Sequence, residues 1–241
     1  MKLYAVGLGP GDADHLTPRA REVIAQCDVV VGYTGYLDLL PKLAKDKEVI
    51  ATGMKGEKER CEAAIEAAAA GRRVCVVSSG DAGVYGMAAL LYELAEKHPS
   101  IEVVPIPGIT AAVSAASILG SPLTNDFAVI SLSDLLTPWS VIEKRLAACS
   151  EADMVLCLYN PESKARLSYL KNACLVALRF KPPETLCGYV RNAYRKHTGS
   201  CVSTLAEMSG TAVDMFTTVI IGNSSTKKIN GKLVTVRGYG T

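Results

Sequence analysis

The sequence predicts an α/β protein of two domains: a largely parallel sheet over residues 1–120 and a mixed sheet over residues 121–241, with a ligand cleft between them. Three observations predict it. Apolar, strand-like runs alternate with helical patterns through the first half. Loops of glycine and other small residues follow the strands in both halves. Toward the C-terminus helical patterns fade while strand-like runs continue, as antiparallel strands would have it. The composition suits such a fold, with 49% hydrophobic and 21% charged residues in a chain of 241. A net charge of +2 gives no field that would draw nucleic acid or a membrane surface. No apolar run reaches the ~18 residues of a membrane span.

Taken in order, residues 2–6 form a first strand that runs into Gly7-Leu8-Gly9-Pro10-Gly11-Asp12. The glycines break the apolar run at once, so it does not read as a signal peptide. A dinucleotide-binding loop wants a third glycine at the sixth place, where Asp12 stands, and no helix follows directly. NAD binding is therefore disfavoured. Thr17 and Pro18 look like the N-cap and first residue of a helix to about Gln26. Residues 28–31 form the next strand, followed by Gly32-Tyr33-Thr34-Gly35-Tyr36. Val49 and Ile50 suggest a short strand, and residues 57–70 an alanine-rich helix closed by Gly71.

Residues 74–77 are a wholly apolar strand that stops at Ser78-Ser79-Gly80-Asp81-Ala82-Gly83, and a helical pattern resumes at Val84. In an open α/β sheet ligands sit at the carboxyl ends of strands, where this loop lies. Gly80 and Gly83 permit close approach of backbone to a ligand, and Asp81 sets a carboxylate at the loop tip. The same pattern occurs wherever a parallel sheet is wound. A strand at 101–104, a Pro105-Ile106-Pro107-Gly108 turn and a small-residue helix at 109–119 follow. Such a helix start can floor a flat ligand or a carboxylate; tight helix–sheet packing is the alternative. The domain link is expected at 121–126. Beyond it come strands at 127–131, 154–158 and 185–190, a helix after Pro138, an amphipathic helix at 164–178, and late strands at 217–221 and 232–236 with an Asn230-Gly231 turn before the last.

Eight cysteines are present without a CxxC pair or a neighbouring histidine, and most lie in apolar runs. They read as reduced, buried thiols in a cytosolic protein, with no zinc site. No phosphate-binding GxxxxGK[ST], GxSxG elbow or HExxH is present. What remains are backbone-rich loops, a loop carboxylate and scattered cations, which suit a ligand that brings its own reactivity.

Gly7-Leu8-Gly9-Pro10-Gly11-Asp12, Ser79-Gly80-Asp81-Ala82-Gly83-Val84-Tyr85-Gly86-Met87 and Pro105-Ile106-Pro107-Gly108-Ile109-Thr110-Ala111-Ala112 resemble the successive signatures of the tetrapyrrole methylases. The resemblance covers the whole chain. Residues 132–139, 158–164 and 190–193 further resemble the branch that methylates C17 of a precorrin-3-level macrocycle in cobalamin biosynthesis, with contraction of the ring. Gly80-Asp81-Ala82 departs from the usual Gly-Asp-Pro of the superfamily in a way that branch shares.

The resemblance implies two α/β domains with S-adenosylmethionine in the cleft, released as S-adenosylhomocysteine, and precorrin-3B or cobalt-precorrin-3 as the methyl acceptor. It also implies a homodimer, and the thiols suggest a cytoplasmic one. Pro10, Gly80, Asp81, Val84, Thr110, Ala111, Tyr159, Ala193 and Thr218 are the implied cofactor contacts. The macrocycle's carboxylates would pair with cations. Lys55, Lys58, Arg60, Arg166, Arg191 and Arg195 are the candidates, with Lys55, Arg191 and Arg195 carried forward and Arg191 first because it follows a strand end. Ring contraction would want an acid or base. Asp12, Glu57, Asp81 and Tyr85 could serve, and Asp81 and Tyr85 are taken as the catalytic pair. A related enzyme acting on another tetrapyrrole carbon or on a protein histidine, and a tetrapyrrole-binding module without catalysis, are the alternatives.

Overall fold

A computed structural model describes residues 1–39, 44–163 and 167–239. The chain forms two compact units, Met1–Thr110 and Ala111–Thr241.

Five parallel strands make the sheet of the first unit: β1 (Lys2–Gly7), β2 (Val29–Tyr33), β3 (Glu48–Thr52), β4 (Val74–Ser78) and β5 (Glu102–Ile106). Their order is β3-β2-β4-β1-β5. Helices α1 (Pro18–Gln26), α2 (Thr34–Leu37), α3 (Glu57–Ala69) and α4 (Ala88–Ala95) connect them. Both faces of the sheet are covered, which explains the unbroken apolar run of β4. Val74 and Val76 pack among residues of α3 and α4, whereas Cys75 and Val77 pack with Ala20, Val23 and Ile24 of α1. Because all five strands run one way, the loops after β1, β3, β4 and β5 leave from a single edge. The predicted start of α1 is present, with the Thr17 hydroxyl accepting from Ala20 N at 3.2 Å and Pro18 at N1.

The fourth helix starts later than the sequence suggests, at Ala88 rather than Val84. Tyr85 sits at φ +53°, and a Cβ on Gly86 would lie 2.5 Å from Ala82 O. The chain therefore closes a loop through Ala88 N to Ala82 O at 3.0 Å before it can coil.

In the second unit the main sheet holds β7 (Phe127–Ser131), β8 (Val155–Tyr159), β9 (Leu186–Arg191), β10 (Gly199–Thr204) and β11 (Thr217–Ile221), after the short β6 (Gly120–Ser121). The order is β10-β9-β11-β8-β7. Only β7 and β8 are parallel; the other pairings are antiparallel, so the sheet is mixed as expected. Helices α6 (Trp139–Glu151), α7 (Tyr169–Ala177) and α8 (Leu205–Met208) pack against Leu156, Leu158, Val219 and Ile221 on one face. Helix α5 (Ala111–Leu119) takes the other, where Gly188 makes room: a Cβ there would lie 2.8 Å from Leu119 Cδ2. A second small sheet joins the hairpin β12 (Thr226–Ile229) and β13 (Lys232–Thr235) to β6, with Asn230 and Gly231 at positive φ in the predicted turn.

Helix α5 belongs by its contacts to the second unit, so the units divide at 110/111 and not at the expected 120/121. Residues 121–126 read as a link because they are polar with a proline, yet Ser121 is tied into the small sheet. The helix expected at 164–178 begins at Tyr169; residues 164–166 lie outside the described residues. Strands β10 and β12 carry mostly polar residues and gave no strand signal.

Candidate functional site

In the first unit the loops after β1, β4 and β5 meet backbone to backbone. A Cβ on Gly7 would stand 2.7 Å from both Gly80 O and Gly108 N, and one on Gly108 would stand 2.2 Å from Gly80 O. Only glycine fits at these contacts. Gly9 and Gly80 then exchange two hydrogen bonds, of 2.9 and 2.8 Å, with both residues at positive φ. Pro10 follows directly and is buried.

Asp81 closes this edge. One carboxylate oxygen accepts from Gly83 N at 2.8 Å and the other from Gly108 N at 2.9 Å, 27 residues away in the chain. Both oxygens are therefore occupied by main-chain donors, the geometry of a brace between the β4 and β5 loops. Val84 and Thr110 are half-buried at the same edge, and Tyr85 projects with 58% of its surface exposed. Asp12 is bonded to the His15 ring at 2.7 Å and to His15 N at 3.0 Å, folding its own loop.

The cationic candidates of this unit differ sharply. Lys55 is exposed in the loop after β3 at φ +67°. Lys58 is exposed and faces Glu62 at 3.6 Å. Arg60 was expected to meet substrate carboxylates, and the structure corrects this. It is 3% exposed, and its guanidinium bonds Thr52 Oγ1 at 2.8 Å and Gly53 O at 3.0 Å. The run EKER reads as a solvated helix face, but α3 turns Arg60 inward.

In the second unit Tyr159, at the end of β8, accepts a 2.6 Å hydrogen bond from Ala112 N through its hydroxyl. That satisfies one of the otherwise unpaired N–H groups at the start of α5. Thr218 pairs in register with Val190, one face with Gly188 and Ile220, so it shares with Tyr159 the sheet face on which α5 lies. Thr218 is 8% exposed. Ala193 is half-buried in the loop after β9, next to Asn192 and Tyr194, both at positive φ. The Tyr194 hydroxyl meets Ser117 Oγ at 2.9 Å, tying that loop to α5. Thus Tyr159 meets the start of α5, Thr218 shares its sheet face, and the loop of Ala193 is tied to α5 farther along, at Ser117.

Arg191 is half-exposed, with Nε donating to Asp214 Oδ2 at 2.6 Å. Burial pushes the Asp214 carboxyl up, but bonds from Arg191, Thr217 and Phe216 N outweigh it and hold it below the usual carboxylate range. Arg195 is half-buried in the same loop, and Arg166 lies outside the described residues. Burial pushes the thiols of Cys61, Cys157 and Cys174 up to about 11, 12 and 12, so none is a ready thiolate at neutral pH. Among the described residues no group of three His, Cys, Asp or Glu side chains could hold a metal ion. No helix among them is long and apolar enough to cross a membrane.

Two contacts escaped the sequence, Asp81 to Gly108 N and Tyr159 to Ala112 N. The only local signal was a glycine or small residue at each strand end.

Comparison with known proteins places these loops in context. The family model of the tetrapyrrole (corrin/porphyrin) methylases matches residues 2–209. A Salmonella typhimurium protein named probable cobalt-factor III C(17)-methyltransferase is 48% identical over 238 residues, 98% of this chain and 99% of that protein. A precorrin-3B C(17)-methyltransferase from Sinorhizobium is 42% identical, covering 93% of this chain and 90% of its own. The cobalt-factor III methyltransferase of Priestia megaterium is 43% identical across 99% of this chain, which spans 45% of that longer protein. Among solved structures, the methyltransferase CobJ superposes with a TM-score of 0.90 at 35% identity, over 97% of this chain and 99% of that one.

Proposed function

This chain belongs to the tetrapyrrole (corrin/porphyrin) methylases, and on that footing we propose that it methylates C17 of a precorrin-3-level macrocycle in cobalamin biosynthesis, with contraction of the ring. The observation that carries this is end-to-end similarity to proteins named for C17 methylation, 48% identical over 99% of the Salmonella typhimurium relative. That relative is named for cobalt-factor III, which favours the cobalt-containing acceptor over precorrin-3B.

S-adenosylmethionine is the proposed methyl donor. It supplies a methyl carbon on a positively charged sulfur and leaves as S-adenosylhomocysteine. The residues present fit it. Thr218 carries a hydroxyl on the sheet face that α5 covers, and Ala111 and Ala193 are small and half-buried. The loops at Pro10, Gly80, Val84 and Thr110 bring main chain to the carboxyl edge of the first sheet, close-packed through glycine. The protein's part is placement: holding two reactants in line converts a bimolecular step into an effectively unimolecular one. No side-chain nucleophile is needed. Asp81 acts as the brace of the β4 and β5 loops in this reading, and Tyr85, exposed at the loop tip, stands as the acid–base candidate. Lys55, Arg191 and Arg195 are the proposed partners of substrate carboxylates. The homodimeric state that the family resemblance implies and the cytoplasmic location that the reduced thiols suggest belong to the same proposal; light scattering on the eluting protein tests the first.

The test is mass spectrometry of reactions containing S-adenosylmethionine and each precorrin-3-level macrocycle, with and without cobalt. One methyl gained on the cobalt form supports the reading. A methyl gained only on the metal-free form moves the acceptor to precorrin-3B. No methyl on either, with S-adenosylhomocysteine shown to bind, refutes C17 methylation.

A further inference from the structure

We propose that Arg60 is a positioning residue for the tetrapyrrole: its buried guanidinium pins the loop after β3 at Thr52 and Gly53 and so presents Lys55 to a substrate carboxylate. The proposal rests on the C17-methylation reading above and deepens it.

The loop is the short segment Gly53-Met54-Lys55-Gly56, between the end of β3 and the start of α3. One side chain grips its first end directly and reaches its last through the Thr52 hydroxyl. Arg60 Nε donates to Thr52 Oγ1 at 2.8 Å, and Nη2 donates to Gly53 O at 3.0 Å. The Thr52 hydroxyl in turn donates to Gly56 O at 3.4 Å, and the same carbonyl accepts from Arg60 N at 3.0 Å. Nη1 lies 3.8 Å from the sulfur of Met87, the residue that ends the β4 loop and precedes α4. Arg60 therefore spans the β3 loop and the end of the loop that carries Gly80, Asp81 and Val84.

The middle of the pinned loop points the other way. Met54 is 60% exposed, and Lys55 is exposed at φ +67°. A lysine is rarely found in that left-handed region, and strain of this kind persists where surrounding structure over-determines it, commonly at ligand sites. Among the described residues the Lys55 ammonium has no partner. The cation that holds the loop is itself unusual. Arg60 is 3% exposed, and no carboxylate among the described residues pairs with it. Burying an unpaired cation is costly, and an apolar side chain of similar volume would commonly serve stability as well or better. What an apolar side chain would not provide is a rigid fork that grips a hydroxyl and a carbonyl at once. The cost is explained if the loop's shape matters for function, and an acceptor rimmed with carboxylates is the ligand that an exposed lysine at this edge would suit.

The experiment uses the full chain with the variants Arg60→Met, Arg60→Lys, Lys55→Ala and the double variant Arg60→Met/Lys55→Ala. Steady-state kinetics gives KM for the macrocycle and kcat, calorimetry gives Kd for S-adenosylhomocysteine, and hydrogen exchange follows the amides of residues 53–56. Arg60→Met is expected to raise KM about tenfold with kcat and the S-adenosylhomocysteine Kd within about twofold, a loss of substrate binding alone. Lys55→Ala is expected to do the same. If Arg60 acts through Lys55, the two effects are not additive, and the double variant lies within about twofold of Lys55→Ala. Arg60→Lys restores part of the loss, since it keeps the charge but not the fork. Amides 53–56 exchange faster in Arg60→Met and unchanged in Lys55→Ala. Should Arg60→Met fail to fold, Arg60→Gln replaces it in the same cycle. Additive effects, or an unchanged KM in either single variant, overturn the proposal while leaving C17 methylation standing. A wild-type protein that methylates no precorrin-3-level macrocycle overturns the functional reading and this proposal with it.

Discussion

Replacing Asp81 by asparagine separates a braced loop from a catalytic carboxylate. In the native protein both oxygens accept from backbone amides, Gly83 N at 2.8 Å and Gly108 N at 2.9 Å. Asparagine keeps one acceptor and turns an NH2 group toward the other amide, so one hydrogen bond is lost and two donors face each other. Hydrogen bonds to a charged group contribute about 1.5–3 kcal/mol each. With the loop half-exposed, a net loss of about 2 kcal/mol is a fair expectation on that scale. If that ordering has to be restored on binding, Kd for S-adenosylhomocysteine rises about 30-fold, since each 1.4 kcal/mol is worth about tenfold. Titration calorimetry reads the affinity, and turnover at saturating donor and acceptor reads the chemistry. The brace predicts weaker binding with kcat reduced less than about tenfold, because only positioning is disturbed. An unchanged Kd and native stability with kcat lowered by orders of magnitude would refute it and return Asp81 to acid–base duty.

Gly108→Ala places a Cβ 2.2 Å from Gly80 O and 2.6 Å from Gly7 C, both rigid backbone. It is expected to lower the melting temperature and abolish S-adenosylhomocysteine binding, while Gly199→Ala, which meets nothing within 4 Å, stays near wild type. Tyr159→Phe removes the acceptor of Ala112 N and leaves a buried donor unpaired, at a cost of about 1–3 kcal/mol. The single tryptophan, Trp139, lies in the same unit, so its fluorescence in urea reads that loss. Asp28 is held down to about 2, first by its side-chain hydrogen bond from Arg73 and then by Arg73 N. A depressed carboxyl stabilises the fold above its unfolded value and loses that contribution as pH falls through the folded one. The Asp28 contribution should therefore be complete above about pH 4 and fade toward about pH 2; Arg73→Ala should raise its NMR titration only part of the way toward 3.8, since residue 73 still donates its main-chain N–H. Lys181 is buried and pairs with Asp153 at 3.1 Å. Asp153→Ala strands a buried ammonium, so it should lower the urea midpoint more than Lys181→Met does.

Much of the architecture was legible because burial writes itself into short apolar runs. Residues 74–77 show no alternation since both sheet faces are covered, and each such run ends where glycine begins. The Thr17-Pro18 helix start and the Asn230-Gly231 turn were legible for the same local reason. Strand β10 was not: GSCVST sits at the sheet edge, where one side of the ladder is open and polar residues are tolerated. The start of α4 was misplaced because hydrophobic spacing continues through 84–87 while Tyr85 and Gly86 forbid the helix. Arg191 was legible as a strand-end cation, but its partner Asp214 lies 23 residues on. Arg60 was misread because charge density on α3 hides which turn faces inward.

The segment from Gly108 to Ala112 shows why a site of this kind is only half visible in sequence. Its small residues announce close packing, and its place after a strand announces a ligand edge. Neither says what holds it. In the first unit Asp81 grips the segment at Gly108 N; in the second Tyr159 grips it at Ala112 N. The two grips lie four residues apart on the chain, on either side of the 110/111 division between the units. Each comes from the end of a different central strand, β4 or β8. Such contacts span 27 and 47 residues, so no periodicity encodes them. In the proposed reaction, which relies on alignment, each grip would serve by fixing the main chain within its own unit.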